Sequence, residues 1–232
     1  MTWILTHSGY KFDLLNPTAA MVHPADIVHA LSMICRFNDQ CRRHYSVAQH
    51  SLTVVAILAL EDRPDDEKLA GLLHDAPEAY ISDLTRPLKQ AMRGFSTARP
   101  CTWMMQADAM GLDAERLYER VANTPMQHAA GEAFNVLESF YHQVEARIWR
   151  AICQRFDLPE QLPASVKRAD MVALATEKRD LMPTHPEAWP CLNGIEPAPF
   201  AIPARTPVEA RELFHNSLLN LLGSTHRARA SA

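Results

Sequence analysis

Glycine is scarce in this chain, 7 in 232 residues, and no apolar run approaches the length needed to cross a bilayer. Few glycines, 47% apolar residues and long helical periodicities point to a mainly helical globular protein. A cationic excess is also missing. Lys and Arg number 23 against 27 Asp and Glu, for a formal net charge of -4 and a pI near 6.2. That balance argues against a dedicated binder of polymeric nucleic acid and leaves room only for a local basic pocket, such as one for a phosphate. The five cysteines (35, 41, 101, 153 and 191) are odd in number and form no CxxC pair, which excludes a disulfide framework and a cysteine-rich zinc site. The N-terminus lacks the basic and long apolar stretches of a signal peptide. The expectation is a soluble, cytoplasmic protein with no membrane association. One domain is expected over residues 1–223, with its core at 12–182.

Residues 1–20 read as a short extended or hairpin segment turning at Ser8-Gly9. Apolar spacing then predicts a helix over Asp26–Phe37, with Arg36 at its end as a surface or C-terminal charge by default. A second helix runs from Tyr45 to Leu60, capped by Ser46 and carrying His50 on its inward face. On local chemistry alone His50 reads first as a hydrogen-bonded core histidine; it is the second inward histidine beside an aspartate in the next segment that turns the reading. Gly94, Pro100, Gly111 and Pro125 break 91–130 into short helices and loops that could cover a pocket. Glu132–Phe156 follows as a long amphipathic helix whose stripe includes Phe140, Tyr141, Val144, Ile148 and Ile152 as core residues. Ala164–Met182 is a further helix with Asp170 inward and with Lys178 and Arg179 solvated. Residues 183–203 are a proline-rich wrap or linker. Thr206 to Glu209 is a capping box opening a helix through Leu222 that docks on the body or on a second subunit, and 224–232 is expected to be disordered.

The stretch Leu69–Lys89 holds the chemistry. His74 and Asp75 sit inside an apolar helical pattern, and Glu78 follows at the spacing that puts all three on one side of a helix. Burying a histidine with carboxylates is costly unless a positive charge pairs with them, and a divalent ion is the simplest such partner. Asp170 makes the same demand from another helix. Two imidazoles (His50, His74) and two carboxylates (Asp75, Asp170) suit manganese, cobalt, zinc or iron better than magnesium. Asp83 reads equally as a turn residue.

The ordered set His…His-Asp…Asp resembles the HD-domain metal-dependent phosphohydrolases. YSVAQHS at 45–51, LLHDAPEAYISDLTRPLK at 72–89 and VKRAD at 166–170 are similar to the nucleotide-acting subgroup, as is Arg36-Phe37. This subgroup holds bacterial deoxynucleoside 5′-monophosphatases and phage deoxyadenosine triphosphate triphosphohydrolases. The likeness spans about Phe12 to Met182, and the HDxxE(x)4D run from His74 to Asp83 is its most specific part. It implies an all-α HD-domain bundle with one divalent metal held by His50, His74, Asp75 and Asp170. Glu78 and Asp83 are implied as catalytic residues, with Arg36 and Lys89 binding the substrate phosphate. The extra histidines 29, 44, 128 and 142 lack the spacing of two-metal members.

The expected activity is removal of the 5′-phosphate of a deoxynucleoside monophosphate, by an enzyme that is a homo-oligomer. A triphosphohydrolase releasing tripolyphosphate is the alternative, for which Arg86, Lys89, Lys167 and Arg179 are candidates along the phosphate tail. A non-catalytic nucleotide-binding module is the alternative of a different class.

Overall fold

The computed structural model describes residues 2–90 and 125–230, with the helical backbone alone for 125–139. Residues up to Asp83 together with those from Ala146 onward form one compact unit, and Leu84–Glu145 form a second. The fold is mostly helical, as expected, after a short N-terminal hairpin. Strands β1 (Trp3–Leu5) and β2 (Lys11–Asp13) pair antiparallel with Ile4 opposite Phe12. Gly9, at φ +81°, supplies the left-handed residue that the turn requires. Phe12 is fully buried and its ring stacks on Tyr80 at 3.7 Å.

The described residues include α1 Pro24–Met33, α2 Val47–Leu60, α3 Asp65–Leu73, α4 Glu78–Ile81, α5 Pro125–Phe156, α6 Ala164–Leu181 and α7 Pro207–Ala230, and residues 86–90 are helical as well. Helix α2 is central and packs against α1, α3, α6 and α7. Its sequence explains this, because Val47, Ala48, Val54, Ile57 and Leu58 leave almost no polar face. Ser46 caps it by accepting the Gln49 N–H, as expected from its position. Gly71 sets the α2–α3 approach: a Cβ there would lie 2.5 Å from Leu58 Cδ1 and 3.3 Å from Val54 Cγ1. The capping box also forms, with Thr206 N–H donating to Glu209 Oε2 (2.7 Å) and Glu209 N–H to Thr206 Oγ1 (3.2 Å).

Four expectations change. Helix α1 ends at Met33 rather than at Phe37, because the 34–36 backbone is used elsewhere. Arg36 N–H donates to Tyr45 O and Val47 N–H to Ile34 O, so Ile34 and Cys35 are extended. The apolar pattern around His74 and Asp75 is not one helix either. Pro77 has no N–H to offer the Leu73 carbonyl, so α3 stops, residues 74–77 turn, and α4 restarts at Glu78. Phe140, expected in the core, is 52% exposed. Helix α7 passes Ser224 and continues to Ala230, with Thr225 buried and Arg229 paired to Asp157. The 91–124 part of the hard-to-read 91–130 segment lies outside the described residues.

Residues 183–203 are an ordered wrap along α6. Ala198 N–H donates to Thr176 Oγ1 (2.8 Å) and Ile202 N–H to Asp180 Oδ2 (2.9 Å). Arg179 is exposed, as expected, and also donates to the Ala198 and Phe200 carbonyls. Lys178 lies over the Trp189 ring at 5.2 Å.

Candidate metal centre

His50 projects from the first half of α2 and is fully buried. His74 caps the C-terminus of α3, Asp75 begins the turn made by Pro77, and Asp170 comes from the middle of α6. Four side-chain atoms from these elements converge. His50 Nε2 lies 3.3 Å from His74 Nε2, 3.5 Å from Asp75 Oδ2 and 3.2 Å from Asp170 Oδ1. His74 Nε2 is in turn 3.3 Å from Asp75 Oδ2. His50, His74 and Asp170 keep one ligand atom each within 4.8 Å of the others.

The far ring nitrogens are already used. His74 Nδ1 donates to the Gly71 carbonyl at 2.8 Å, an oxygen that can only accept. His50 Nδ1 donates to Glu177 Oε1 at 2.6 Å. As neutral imidazoles the two rings would turn a bare Nε2 toward each other and toward the nearby carboxylate oxygens. Such a convergence of lone pairs demands positive charge. One proton can bridge the pair, but a second would set two Nε2–H groups 3.3 Å apart against each other, so protons meet that demand only in part. A cation of borderline softness meets it well. Donors about 2.1 Å from an ion lie about 3.0 Å apart at right angles and about 3.4 Å apart at the tetrahedral angle, the spacing found here.

The electrostatics follow the same logic. Burial and the Arg36 guanidinium push His50 down, but Glu177 and Asp170 outweigh them and hold it up at about 10. Burial also lowers His74, and Asp75 reverses this so that the net shift is upward. Burial raises Asp75, yet His74, His50 and Arg36 keep it far below the usual carboxylate range. Asp170 is likewise held down by His50 against burial.

Arg36 does not end a helix. It sits on a short 3-10 turn in which Phe37, Asn38 and Asp39 all adopt left-handed backbone, with φ of 56, 50 and 58°. Three such non-glycine residues in succession are strained, and the strain lies beside the site. Arg36 Nη1 is 3.3 Å from Asp75 Oδ2, and Nε is 3.5 Å from Glu177 Oε2. The default reading of Arg36 as a solvated charge is therefore wrong: its side chain is 13% exposed and lies against the cluster.

Glu78 is buried and its Oε2 accepts no hydrogen bond among the described residues. Burial, then Asp75 and Asp83, lift it well above the ordinary 4.5 of a glutamate. Asp83 is half-buried and close enough to raise Glu78 and to support the Arg36 charge. Lys89 belongs to the second unit, where its Nζ lies 3.9 Å from Glu145 Oε1 and 5.5 Å from the centre of the Tyr141 ring.

Glu177 is the residue that sequence reasoning did not single out. It is fully buried between His50 and Arg36, and these two hold its pKa down against burial. Its signal was faint: a glutamate on the inward face of α6, seven residues after Asp170.

No family model matches the chain. The chain is similar to the uncharacterized protein YfdR of Escherichia coli strain K12, 29% identical over 197 residues, covering 84% of this chain and 81% of that protein. It is also 29% identical over 235 aligned residues to the uncharacterized protein RCAP_rcc00048 of Rhodobacter capsulatus, covering 95% of this chain and 97% of that protein.

Proposed function

We propose that this protein is a divalent-metal-dependent phosphohydrolase that removes the 5′-phosphate of deoxynucleoside monophosphates. The observation that carries the metal and phosphate parts is the convergence of His50 Nε2, His74 Nε2, Asp75 Oδ2 and Asp170 Oδ1 with the Arg36 guanidinium alongside. The nucleotide class rests on the resemblance of the motifs at 36–37, 45–51, 72–89 and 166–170 to nucleotide-acting members of the HD group.

Those four atoms would hold one ion, of manganese, cobalt, zinc or iron. When bound, such an ion withdraws electron density from a phosphoryl oxygen and lowers the pKa of water from about 15.7 toward about 7. The chain's own groups do the rest. Arg36 presents a guanidinium fork to the phosphate oxygens, fixing the ester and offsetting its charge. Hydrolysis forms one P–O bond to water, breaks the bond to the leaving oxygen, and moves one proton from the water to that oxygen. Glu78, with its pKa raised by burial and by its acidic neighbours, is suited to carry that proton on Oε2. Asp83 keeps Glu78 in that range and is the second candidate for the proton. Free thiols at 35, 41, 153 and 191 accord with a cytoplasmic location. No helix among the described residues is long and apolar enough to cross a membrane.

The monophosphate is preferred over the triphosphate for a specific reason. Arg179, one of the four basic candidates for a triphosphate tail, is committed to Asp180 and to the carbonyls of the wrap. The test is product analysis with manganese or cobalt, resolving orthophosphate from tripolyphosphate by phosphorus NMR for each deoxynucleoside mono- and triphosphate. Orthophosphate from a monophosphate supports the proposal. Tripolyphosphate from a triphosphate would replace it with the triphosphohydrolase reading, and no turnover would leave a binding module.

A further inference from the structure

Glu177 is fully buried, and a buried carboxylate persists only where its partners repay the loss of water. Its two oxygens face different halves of the site. Oε1 accepts from His50 Nδ1 at 2.6 Å, and Oε2 faces Arg36 Nε at 3.5 Å. Neither Arg36 Nε nor Glu177 Oε2 meets hydrogen-bond geometry with a partner among the described residues, and the two lie 3.5 Å apart as an ion pair, with the Tyr45 hydroxyl also acting on the Glu177 carboxylate. Tyr45, itself fully buried, closes the remaining side, with its hydroxyl 3.1 Å from Thr53 Oγ1.

We propose that Glu177 is a positioning residue that couples the cation half of the site to its phosphate half. It fixes the His50 ring with Nε2 toward the ligand cluster and holds the Arg36 guanidinium beside that cluster, touching neither ion nor phosphate itself. The cation half stands on geometry alone. The phosphate half rests on the function proposed above.

One carboxylate can accept from both neighbours at once, one on each oxygen. In Glu177→Gln the carbonyl oxygen can still accept from His50 Nδ1, but the amide N–H₂ then meets the Arg36 N–H, donor against donor. Turned the other way, the amide opposes the Nδ1 proton and favours the wrong tautomer of His50. Either orientation loses one half, and the charge that fixes both is gone.

The test measures manganese affinity by competition with a chromophoric chelator, and orthophosphate affinity of the manganese-loaded protein by calorimetry, in the full chain and in Glu177→Gln. We expect manganese binding to weaken about 10- to 100-fold, the range for groups that orient a metal-bound histidine, and orthophosphate binding to weaken in the same variant. A measurement on the unmodified protein guards against a variant that does not fold. Long-range ¹H–¹⁵N NMR of the zinc-loaded chain should show His50 protonated at Nδ1. Affinities in Glu177→Gln within twofold of the original, or a His50 lacking that proton, would overturn the inference. If the unmodified protein binds manganese but no orthophosphate, the phosphate half falls together with the proposed function, while the manganese comparison still decides the cation half.

Discussion

At the scale of single residues, the site is a balance of charge that one substitution can tip. His74→Ala or Asp75→Ala removes a donor from a partly buried group of four, so bound metal (by elemental analysis) and turnover should be lost together. Glu78→Gln keeps those donors and removes only a proton carrier. Metal content should hold while turnover falls about 10²- to 10⁴-fold, the usual range for a general acid or base. Full activity in the Asp75 variant would end the metal assignment. The candidate ligands were legible because each falls in an apolar-periodic stretch of sequence, where a titratable residue stands out, even though Asp75 proves to lie on a turn. Glu177 was not, since a single inward glutamate forms no motif. Only the folded chain shows that it lies between His50 and Arg36.

At the scale of elements, two local devices aim these side chains. Pro77 stops α3 and lets the chain turn before α4, so Asp75 lies on a turn between helices. Gly71 lets α3 approach α2 closely, and its carbonyl orients His74. A methyl at position 71 meets Leu58 Cδ1 at 2.5 Å. Overpacking costs about 1 to 3 kcal/mol and alanine returns about 1 kcal/mol of helix propensity. Gly71→Ala should therefore lose between about 0 and 2 kcal/mol in urea denaturation and bind metal more weakly. Unchanged metal affinity would show that the spacing of α2 and α3 does not set the site. In the 37–39 turn, Asn38→Val places a β-branched residue at φ 50°. A loss of about 1 to 2 kcal/mol is expected on the same assay, with Asn38→Gly near neutral.

At the scale of the whole molecule, the wrap over 183–203 is tied to α6 by Asp180, whose Oδ2 accepts the Ile202 N–H at 2.9 Å. Arg179, aided by that N–H, holds the Asp180 pKa below its ordinary 3.8. A depressed carboxylate stabilises the fold fully above its unfolded value and loses that contribution as pH falls through the folded one. Asp180→Asn should accordingly cost about 1.5 to 3 kcal/mol near neutral pH, the scale of a hydrogen bond to a charged group. The two proteins should converge in urea stability once the pH drops below the folded value. A gap that persists in acid would mean that the carboxylate charge is not what holds the wrap.

Read alone, the sequence determined what depends on spacing along one element. The helical class, the Ser46 cap, the Thr206 to Glu209 capping box, the Ser8-Gly9 turn and the inward face of His50 each rest on residues at most a few positions apart. Tertiary structure decided what depends on neighbours distant in the chain. Helix α1 ends early because residues 45–47 take the hydrogen bonds of 34–36, and Arg36 thereby leaves the solvent for the cluster. Arg179 serves the wrap because carbonyls about twenty residues later return to it. Periodicity assigns a side chain to a face. Which charge waits on the other side of that face is set only when remote segments close around it.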